Sequence, residues 1–332
     1  MTLRLATFNL ENLDLPAPRG TGEPTLAARI AALRPALLRL DADILCLQEV
    51  SARHHRGPAP RALAALDALL DGTPYGAFAR AVTTGPGGAG PADVHNLVTL
   101  SRWPITAVRQ VRHELVAPPR HRFTTARPAA TDHADVVWDR PLLHTTHALP
   151  AGRSIDVVNL HLRAPLSATV PGQSRAAGIW RETAPWAEGF FLATLKRAGQ
   201  ALEARLLVDH LLDHAPDALV AVCGDFNADL AEMPLRTLRA DPDDTGNPAL
   251  ARRSLVALER RVAADRRFTL RRGPDRLLVD HVLASSRLAA ALIDVEILND
   301  DLPDEAQFAA VRVGSSHAPV LAAFDLDTPS AI

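Results

Sequence analysis

The sequence predicts an α/β protein, in which strands and helices alternate along the chain. Short apolar, β-rich runs recur from residue 3 onward, and the stretches between them carry apolar residues at helical spacing, such as Leu26, Ile30 and Leu33. The chain has 332 residues, and its 47% of hydrophobic residues suffice for a sizeable core. Since strands and helices are mixed throughout, we expect a single domain over residues 1–326 with a short tail at 327–332.

The pattern predicts each element in turn. Strand-like runs cover 3–10, 43–50, 95–105, 155–162, 218–229, 290–298 and 314–324, with shorter β-like pieces within 106–150. Helical spacing covers 25–40, 61–70 and 190–214. Pro35 is expected to kink the first helix or to begin its second part. Residues 267–285 predict a hairpin whose second strand carries Asp280.

Residues 218–229 are the most informative stretch, because a buried strand ends there in polar residues. The apolar run is followed by Gly224, which lets the backbone turn, and then by Asp225 and Asn227. A carboxylate and an amide that project from a strand end fit a functional site. They also fit an Asx turn that caps the strand.

Five further apolar runs end in a carboxylate, an amide or an imidazole. The polar residues at these ends are Asn9 and Glu11, Glu49, Asn159 and His161, Asp280, and His317. Glu49 follows an almost wholly apolar run, where an unpaired carboxylate is costly to desolvate and needs a cation or several donors. His161 is also compatible with a histidine that is satisfied by hydrogen bonds at a strand end. For His144 and His147, spacing alone is weak support for a metal site, and we leave them out.

The order and flanks of these polar ends resemble the endonuclease/exonuclease/phosphatase superfamily, the DNase I-like, metal-dependent phosphoesterases. The matching motifs are FN at 8–9, LQE at 47–49, N-x-H-L at 159–162, GDFN at 224–227 and S-x-H-x-P-V at 315–320. The resemblance runs from about residue 3 to about residue 324. It implies a four-layered α/β sandwich, with two mixed β-sheets packed face to face, helices outside and the site at one end.

The resemblance also implies a role for each matched residue. Glu49, helped by Glu11, would hold Mg²⁺ or Mn²⁺, since hard cations prefer carboxylate oxygens. Asp225 would orient and deprotonate a water molecule. Asn227 would donate a hydrogen bond to the phosphoryl oxygen of the substrate.

The other matched residues would contact the phosphate or position neighbouring groups. His317 would meet the phosphate as a charged donor that is held by Asp280. His161 would supply a second phosphate contact. Asn9 would orient the metal ligands or Asp225.

One position departs from the family pattern, because Ser316 stands where the family usually has an aspartate before the histidine. That aspartate often contributes to metal binding, so its replacement places a second metal site in doubt. It also suggests an alternative of another class, a non-catalytic binding module that keeps the fold. The presence of Glu49, Asp225 and His317, together with the other matched residues, argues against this alternative.

The sequence thus favours a metal-dependent hydrolase of a phosphodiester, a nuclease or a phosphodiesterase, that acts by in-line attack of water. A phosphomonoesterase and a sphingomyelinase-like lipid headgroup hydrolase are the alternatives. DNA, RNA, phospholipid headgroups and inositol phosphates all remain open as substrates.

The composition bears on partners and compartment. The formal net charge of −2 provides no global basic field, which weakens the case for a processive DNA-binding protein. Cys46 and Cys223 both lie in apolar runs, where buried reduced thiols are expected. The sequence shows neither a signal segment nor an apolar run of transmembrane length. We expect a cytoplasmic monomer.

Residues 163–189 predict an unusually long connection that contains Trp180 and Trp186. Long ordered loops are uncommon unless they are functional. The segment is therefore either a lid or substrate platform over the site, or a surface insertion whose tryptophans pack on the body of the protein.

Overall fold

The chain forms two six-stranded mixed sheets that carry helices on their outer faces. The structure is a computed structural model and describes residues 1–17, 24–56, 60–85, 87–88, 90–176, 178–305 and 313–327. All but the first residue of the predicted tail at 327–332 lies outside the described residues.

The strands and helices have the following bounds. The strands are β1 (Thr2–Leu13), β2 (Ile44–Val50), β3 (Ala79–Val82), β4 (Asn96–Ser101), β5 (Ile105–Val111), β6 (Arg120–His121), β7 (Ala134–Asp135), β8 (Leu142–Ala148), β9 (Ser154–His161), β10 (Ser174–Ala176), β11 (Ile179–Trp180), β12 (Leu219–Asp225), β13 (Leu255–Ala257), β14 (Leu270–Arg272), β15 (Asp275–Leu277), β16 (Asp280–Ser285), β17 (Leu292–Ile297) and β18 (Val320–Asp325). The α-helices are α1 (Leu26–Leu40), α2 (Ala64–Leu70), α3 (Thr183–His214), α4 (Met233–Arg239), α5 (Pro242–Thr245) and α6 (Ser286–Ala289). Single 3₁₀ turns occupy Pro74–Ala77, Pro150–Gly152, Pro248–Arg253, Leu258–Arg261 and Ala264–Arg266.

Each large sheet contains one parallel strand pair among antiparallel neighbours. The first sheet has the order β17-β18-β1-β2-β4-β3, with β1 and β2 parallel. The second has the order β13-β16-β12-β9-β8-β5, with β9 and β12 parallel. Since parallel neighbours end at the same edge of a sheet, each pair brings two strand ends together. The predicted α/β fold with two mixed sheets is confirmed.

The core lies between the two sheets and on their outer faces. Leu3 and Leu5 of β1 point into the same buried cluster as Ile155 and Val157 of β9. Alternate residues further along β1, such as Phe8, point to the opposite face of the sheet and pack in the cluster that includes residues of α1 and α2. The outer face of the second sheet packs against α3 and α4. This alternation with period two gives the four layers, helix, sheet, sheet and helix.

A buried polar contact also joins the two sheets. Gln48 of β2 donates from Nε2 to Oδ1 of Asn159 on β9 at 2.8 Å, and both side chains are fully buried. The Asn159 amide in turn donates to the carbonyl of Val98 on β4 at 3.0 Å. Since unpaired buried amides are costly, this contact fixes how the strands of one sheet lie over those of the other.

Two predicted boundaries are wrong. The helix expected from residue 190 begins at Thr183, so the irregular connection covers only 163–182 and itself contains the short β10–β11 hairpin. Pro185 does not prevent the earlier start, because a proline in the first turn of a helix removes no intrahelical hydrogen bond.

The expected hairpin over 267–285 is in fact two separate units. Strands β14 and β15 pair through a turn at Gly273, whereas β16 pairs with β12 and β13 in the second sheet. Strand β16 is buried along its whole length and therefore belongs in a central position, while β14 and β15 are mostly exposed.

Two further expectations concern the thiols and the membrane. Cys46 and Cys223 are buried free thiols, as predicted. In the part of the chain that the structure describes, no helix combines the length and the apolar character needed to cross a bilayer.

Candidate active site

Polar side chains from both sheets meet where the parallel strand pairs end. In the register of the second sheet, His161 at the end of β9 lies beside Asp225 at the end of β12. In the first sheet, Asn9 of β1 pairs with Gln48, the residue before Glu49. The strand ends of the two sheets thus share one edge of the sandwich.

Asp225 accepts three hydrogen bonds and is almost completely buried. Its Oδ2 accepts hydrogen bonds from Nδ2 of Asn9 at 3.0 Å and from Nδ2 of Asn227 at 3.1 Å, and it lies 3.3 Å from Nε2 of His161. Its Oδ1 accepts from the backbone N–H of Asn227 at 2.8 Å. Burial raises the pKa of Asp225 to about 7. Oδ1 is the less crowded oxygen and is the one that has room to receive a proton.

Glu49 closes β2 and presents its carboxylate at the same place. Oε1 lies 3.3 Å from Nδ2 of Asn9 and 3.7 Å from Nε2 of His161. Oε2 accepts from the backbone N–H of Asn12 at 3.0 Å and lies 3.8 Å from Nδ1 of His95. The carboxylate oxygens and the neighbouring imidazole nitrogens are atom types that can hold a divalent cation.

The carboxylate of Glu11 contacts Ser316. Its Oε2 accepts hydrogen bonds from both the backbone N–H and the hydroxyl of Ser316, at 2.6 and 2.8 Å. Burial raises the pKa of Glu11, and the hydrogen bonds from Ser316 partly offset this rise. The serine that departs from the family pattern is therefore the residue that holds Glu11.

His317 and Asp280 form a close pair between the two sheets. Asp280 begins β16, His317 precedes β18, and Nδ1 of the histidine lies 2.8 Å from Oδ2 of the aspartate. Burial alone would lower the pKa of His317, but the carboxylates of Asp280 and Asp225 outweigh burial and raise it to about 10. His317 is thus an imidazolium that donates to Asp280 at neutral pH.

The pKa values of His161 and His95 are shifted in the opposite direction to that of His317. Burial and the nearby Arg140 lower the pKa of His161 well below its ordinary value. The same two causes lower the pKa of His95, although Glu49 opposes them. The rings lie edge to face with their centroids 5.9 Å apart. Both side chains are therefore neutral imidazoles that face a carboxylate.

Sequence reasoning missed His95 and Arg140. Arg140 donates from Nη1 to the carbonyls of His161 and Leu162 at 3.3 and 3.5 Å, and its buried Nε makes no hydrogen bond among the described residues. Burial lowers the pKa of Arg140, while the nearby carboxylates, Glu49 first, raise it. Since both residues follow loops and end no apolar run, the pattern that identified the other site residues gave no signal for them.

Backbone strain is concentrated at this edge of the sandwich. Five of the nine non-glycine residues with positive φ in the described ranges lie here, namely Glu11, Asn12, Glu49, His95 and Asn227. Such conformations typically cost on the order of 1–3 kcal/mol each and persist only where the surroundings enforce them. Their clustering indicates a site whose side-chain directions are fixed before any ligand binds.

Gly224 allows the backbone conformation that β12 adopts just before Asp225. Its φ is +142°, and a Cβ there would lie 1.9 Å from the carbonyl oxygen of Leu160 on the neighbouring strand. Because the obstacle is backbone, only glycine fits. The glycine of the GDFN motif is therefore required for Asp225 to sit beside His161.

Two groups of three side chains in the described residues bring potential ligand atoms within 4.8 Å of one another. They are Glu49 with His95 and His161, and Asp225 with Asp280 and His317. In the second group the nitrogen of His317 that faces the carboxylates already donates to Asp280 and has no free lone pair. In the first group Nδ1 of His95, which lies 3.8 Å from Oε2 of Glu49, is buried without a hydrogen bond among the described residues. The residues present therefore fit a divalent ion at Glu49.

The structure also shows where the sequence-based roles need revision. Both amide hydrogens of Asn227 are donated, to Leu162 and to Asp225, so this side chain positions the carboxylate and has no free donor for a phosphoryl oxygen. Glu11 is absent from both ligand groups. His144, which was left out of the site, pairs with Asp156 on the second sheet.

Two packed mixed sheets direct carboxylates, imidazoles and amides to one edge, and comparison with known families identifies the class of protein. A profile of the endonuclease/exonuclease/phosphatase family matches residues 6–317. The chain therefore belongs to this family of metal-dependent phosphoesterases and is a phosphoric ester hydrolase.

Solved structures share the fold at low sequence identity. Truncated TDP2 of Caenorhabditis elegans superposes with a TM-score of 0.53 at 14% identity, over 97% of this chain and 97% of that chain. The 3′ phosphatase NExo from Neisseria, bound to a product DNA hairpin, has a TM-score of 0.51 at 18% identity, over 97% and 99%. An AP endonuclease from Archaeoglobus fulgidus has a TM-score of 0.50 at 17% identity, over 98% and 100%. No curated protein sequence matches the chain significantly in a direct comparison.

Proposed function

We propose that the protein hydrolyses a phosphodiester by in-line attack of water, with Mg²⁺ or Mn²⁺ as the divalent cofactor. The observation that carries this proposal is the meeting of Asp225, Glu49 and the Asp280–His317 pair at one edge of the sandwich. Glu49 would hold the ion, which when bound neutralises charge on the phosphoryl group.

Asp225 is the proposed general base. A base works best when its pKa lies near the operating pH, and burial raises that of Asp225 to about 7. Asn9 and Asn227 hold Oδ2, which leaves Oδ1 to take the proton of the attacking water. These two amides are positioning residues for the base.

His317 and Arg140 are the proposed donors to the phosphate. His317 is protonated beside Asp280, so its other ring nitrogen can donate to a phosphoryl or leaving oxygen. Arg140 offers its Nε, which has no partner among the described residues. Preorganised cationic donors of this kind stabilise the charge that develops in the transition state.

We also propose that the connection at 163–182 forms part of the substrate platform. A cavity of about 330 Å³ lies against it, with Phe123, Val136 and Leu192 as apolar lining and Arg163 and Lys196 as charged lining. Arg163, which lines this cavity, is two residues beyond His161, and this supports a cavity that opens toward the catalytic edge. The alternative of a surface insertion predicts that mutation of this lining leaves turnover unchanged.

A substrate panel tests the proposal. Bis-p-nitrophenyl phosphate and p-nitrophenyl phosphate compare a diester with a monoester, and single-stranded DNA, RNA, sphingomyelin and an inositol polyphosphate represent the natural classes. We expect turnover of at least one diester with Mg²⁺ or Mn²⁺ and none in excess chelator. A preference for the monoester would indicate a phosphomonoesterase, and binding without turnover of any substrate would indicate a binding module.

A further inference from the structure

We propose that Arg197 and His281 are positioning residues that hold the turn after β12 and, through this turn, the proposed base Asp225. Neither residue belongs to the motifs that the sequence shares with the family. The inference rests on the proposed function only in taking Asp225 as the base. Its new element is a pair of buried donors that fixes two successive carbonyl groups of the turn.

The turn that follows Asp225 is strained and directs two donors to this carboxylate. Asn227 has a φ of +49°, a conformation that residues other than glycine rarely adopt. Its backbone N–H donates to Oδ1 of Asp225 at 2.8 Å, and its side-chain amide donates to Oδ2 at 3.1 Å. Strained conformations persist only where the surrounding structure enforces them. The geometry of the base therefore depends on the groups that hold residues 226–228.

Arg197 of α3 provides the first of these contacts. Its Nη2 donates to the carbonyl oxygen of Asn227 at 2.8 Å, and the residue is only 8% exposed. The carboxylate of Glu232 lies 3.4 Å from the same nitrogen. Hydrogen bonds from a charged donor are stronger than those between neutral groups. The helix on the outer face of the second sheet thus reaches the catalytic edge through one buried cation.

His281 of β16 provides the second contact. Its Nε2 donates to the carbonyl oxygen of Ala228 at 2.9 Å, since a carbonyl can only accept, and its ring packs edge to face on Phe226 with centroids 5.2 Å apart. Its Nδ1 lies 3.6 Å from Oε2 of Glu259, and the side chains of both residues are fully buried. Burial lowers the pKa of His281, but the carboxylate of Glu259 outweighs burial and raises it.

The two contacts act on neighbouring peptide groups. The carbonyls of Asn227 and Ala228 are held from two different elements, α3 and β16. Fixing both carbonyls restricts the rotation of the peptide groups that follow Asn227, so its conformation and the direction of its donors to Asp225 are kept. A displacement of about 1 Å in an active site can cost about 100-fold in rate. Loss of either contact should therefore lower kcat, although neither donor touches the substrate.

Steady-state kinetics of the whole chain test the inference, with bis-p-nitrophenyl phosphate as the substrate and Mn²⁺ as the metal. His281→Leu and Arg197→Met should each lower kcat at least about tenfold, because groups behind a functional site typically contribute 10–100-fold. KM should not change, since the lost interaction is not one that the substrate makes. His281→Gln and Arg197→Lys keep a donor and should retain more of the natural kcat.

Two matched controls separate positioning from general stability. Arg205→Met removes another buried arginine of α3, which donates to the carbonyls of Leu238 and Arg253 at 3.0 and 3.2 Å. His147→Leu removes another fully buried histidine of the second sheet. Both should lower the free energy of unfolding and leave the kcat of the folded protein unchanged. An equal loss of kcat in the controls would overturn the inference.

Asn227→Gly provides a background without the strain, because glycine adopts a positive φ freely. This variant has a lower kcat of its own, since it lacks the side-chain donor to Asp225. In this background His281→Leu and Arg197→Met should lower kcat much less than in the natural protein, as mutations that act through one element are not additive. The same fold loss in both backgrounds would show that the two residues do not act through Asn227.

Amide hydrogen exchange provides a measurement that needs neither metal nor substrate. The backbone N–H of Asn227 should exchange at least about tenfold faster in Arg197→Met than in the natural protein, a factor that corresponds to one charge-assisted hydrogen bond. Amides in the middle of β9 should exchange at the same rate in both proteins. An unchanged rate at Asn227 would overturn the inference. If His281→Leu does not fold, Arg197→Met and His281→Gln still decide it.

Failure of this inference is distinguishable from failure of the proposed function. Metal-dependent turnover in the natural protein, with kcat unchanged in Arg197→Met and His281→Gln and with the exchange rate of Asn227 unchanged, would overturn the positioning role and leave the phosphodiesterase intact. Faster exchange at Asn227 in Arg197→Met, without turnover of any phosphoester by the natural protein, would support the contacts to the turn and contradict the proposed function.

Discussion

Asn9 donates a hydrogen bond from Nδ2 to Oδ2 of Asp225 at 3.0 Å and thereby connects a strand of one sheet to a strand of the other. The same nitrogen lies 3.3 Å from Oε1 of Glu49. One amide thus sets the spacing between the proposed base and the proposed metal ligand. The geometry of the site depends on how the two sheets pack, and each of its parts can be tested separately.

Glu49→Gln is expected to abolish metal-dependent turnover. Glutamine keeps the size of the side chain but removes the charge that attracts a divalent ion, so we expect activity to fall by at least about 100-fold, to the level set by chelator. Turnover against metal concentration, together with calorimetry, measures both effects. The control is Glu296→Gln, which removes a surface carboxylate that pairs with Arg39. Full activity of the natural protein in excess chelator would contradict the prediction.

Asp225→Asn is expected to lower turnover by at least about 100-fold, because general bases typically contribute that much or more. It should also change how stability depends on pH. Burial raises the pKa of Asp225 from 3.8 to about 7, so between these values the folded protein binds a proton that the unfolded chain has lost. This carboxylate therefore destabilises the natural fold progressively as pH rises from about 4 to about 7.

In Asp225→Asn the side chain does not ionise, so this destabilisation is absent. The free energy of unfolding of the variant, relative to that of the natural protein, should therefore increase by on the order of 2 kcal/mol from pH 5 to pH 8. Urea unfolding of both proteins in chelator, at the two pH values, measures the difference. If the gap between the two proteins is the same at pH 5 and pH 8, Asp225 does not have a raised pKa in the fold.

His317 and Asp280 are expected to act as one unit. His317→Ala should lower turnover by at least about 100-fold, and Asp280→Asn should lower it as well, because the imidazolium loses its partner at 2.8 Å. The double variant should be little worse than His317→Ala, since groups that act together are not additive. His144→Ala and Asp156→Asn form a control cycle on a pair of the same length outside the site. Additive losses at His317 and Asp280 would indicate independent roles.

The sequence predicts the parts of the site that end apolar strands. Asn9, Glu49 and Asp225 lie at or near the ends of buried apolar runs, so a pattern along the chain marks them as candidates. Parallel pairing brings Asn9 close to Glu49, whereas the packing of the two sheets brings Asp225 to both. His95 and Arg140 precede strands or lie in loops, where no periodicity marks them. Their place in the site results from contacts between distant segments, which a single sequence does not encode in any local pattern.

Two other differences have local physical causes. The hairpin expected to carry Asp280 was wrong because β14, β15 and β16 differ in burial more than in apolar content. In the sequence Pro185 suggests a loop. A proline is nevertheless compatible with the first turn of a helix, so α3 can begin at Thr183. The alternating pattern of strands and helices predicts the α/β class, whereas the two-sheet fold, which the structure confirms, is implied by the family resemblance.

Gly199→Ala is expected to destabilise the protein although alanine is the better helix former. Gly199 lies in α3 against Trp138, and a Cβ at this position would lie 2.0 Å from the fully buried indole ring. The ring is also fixed by a hydrogen bond from Nε1 to Oε2 of Glu203 at 2.8 Å. We expect a loss of about 1–3 kcal/mol, the usual cost of overpacking.

Chemical denaturation measures this loss, and turnover should fall with it because Trp138 is two residues from Arg140. The control is Gly314→Ala, where the nearest atom to an added Cβ is the Ala32 side chain at 3.7 Å. That variant should be as stable as the natural protein. A Gly199→Ala protein of unchanged stability would show that α3 and the Trp138 segment shift apart easily.

Ser316→Asp is expected to make stability depend on metal. Ser316 holds Oε2 of Glu11 through two hydrogen bonds, at 2.6 and 2.8 Å, so an aspartate would place a second carboxylate against Glu11. At about 4 Å and an effective dielectric near 20, two such charges repel by about 4 kcal/mol before solvation is considered. The metal-free variant should therefore be less stable than Ser316→Asn, which has the same shape without the charge.

A divalent ion between the two carboxylates would reverse this difference. We expect Mg²⁺ or Mn²⁺ to raise the melting temperature of Ser316→Asp more than that of Ser316→Asn, and to give half-maximal activity at a lower concentration than in the natural protein. The requirement for Glu49 should remain, because the added carboxylate lies beside Glu11 and does not replace Glu49. Thermal melts and activity titrations against metal measure the two effects. If Ser316→Asp binds metal no better than Ser316→Asn, position 316 acts only as a hydrogen-bond donor to Glu11, and Glu11 does not face the ion.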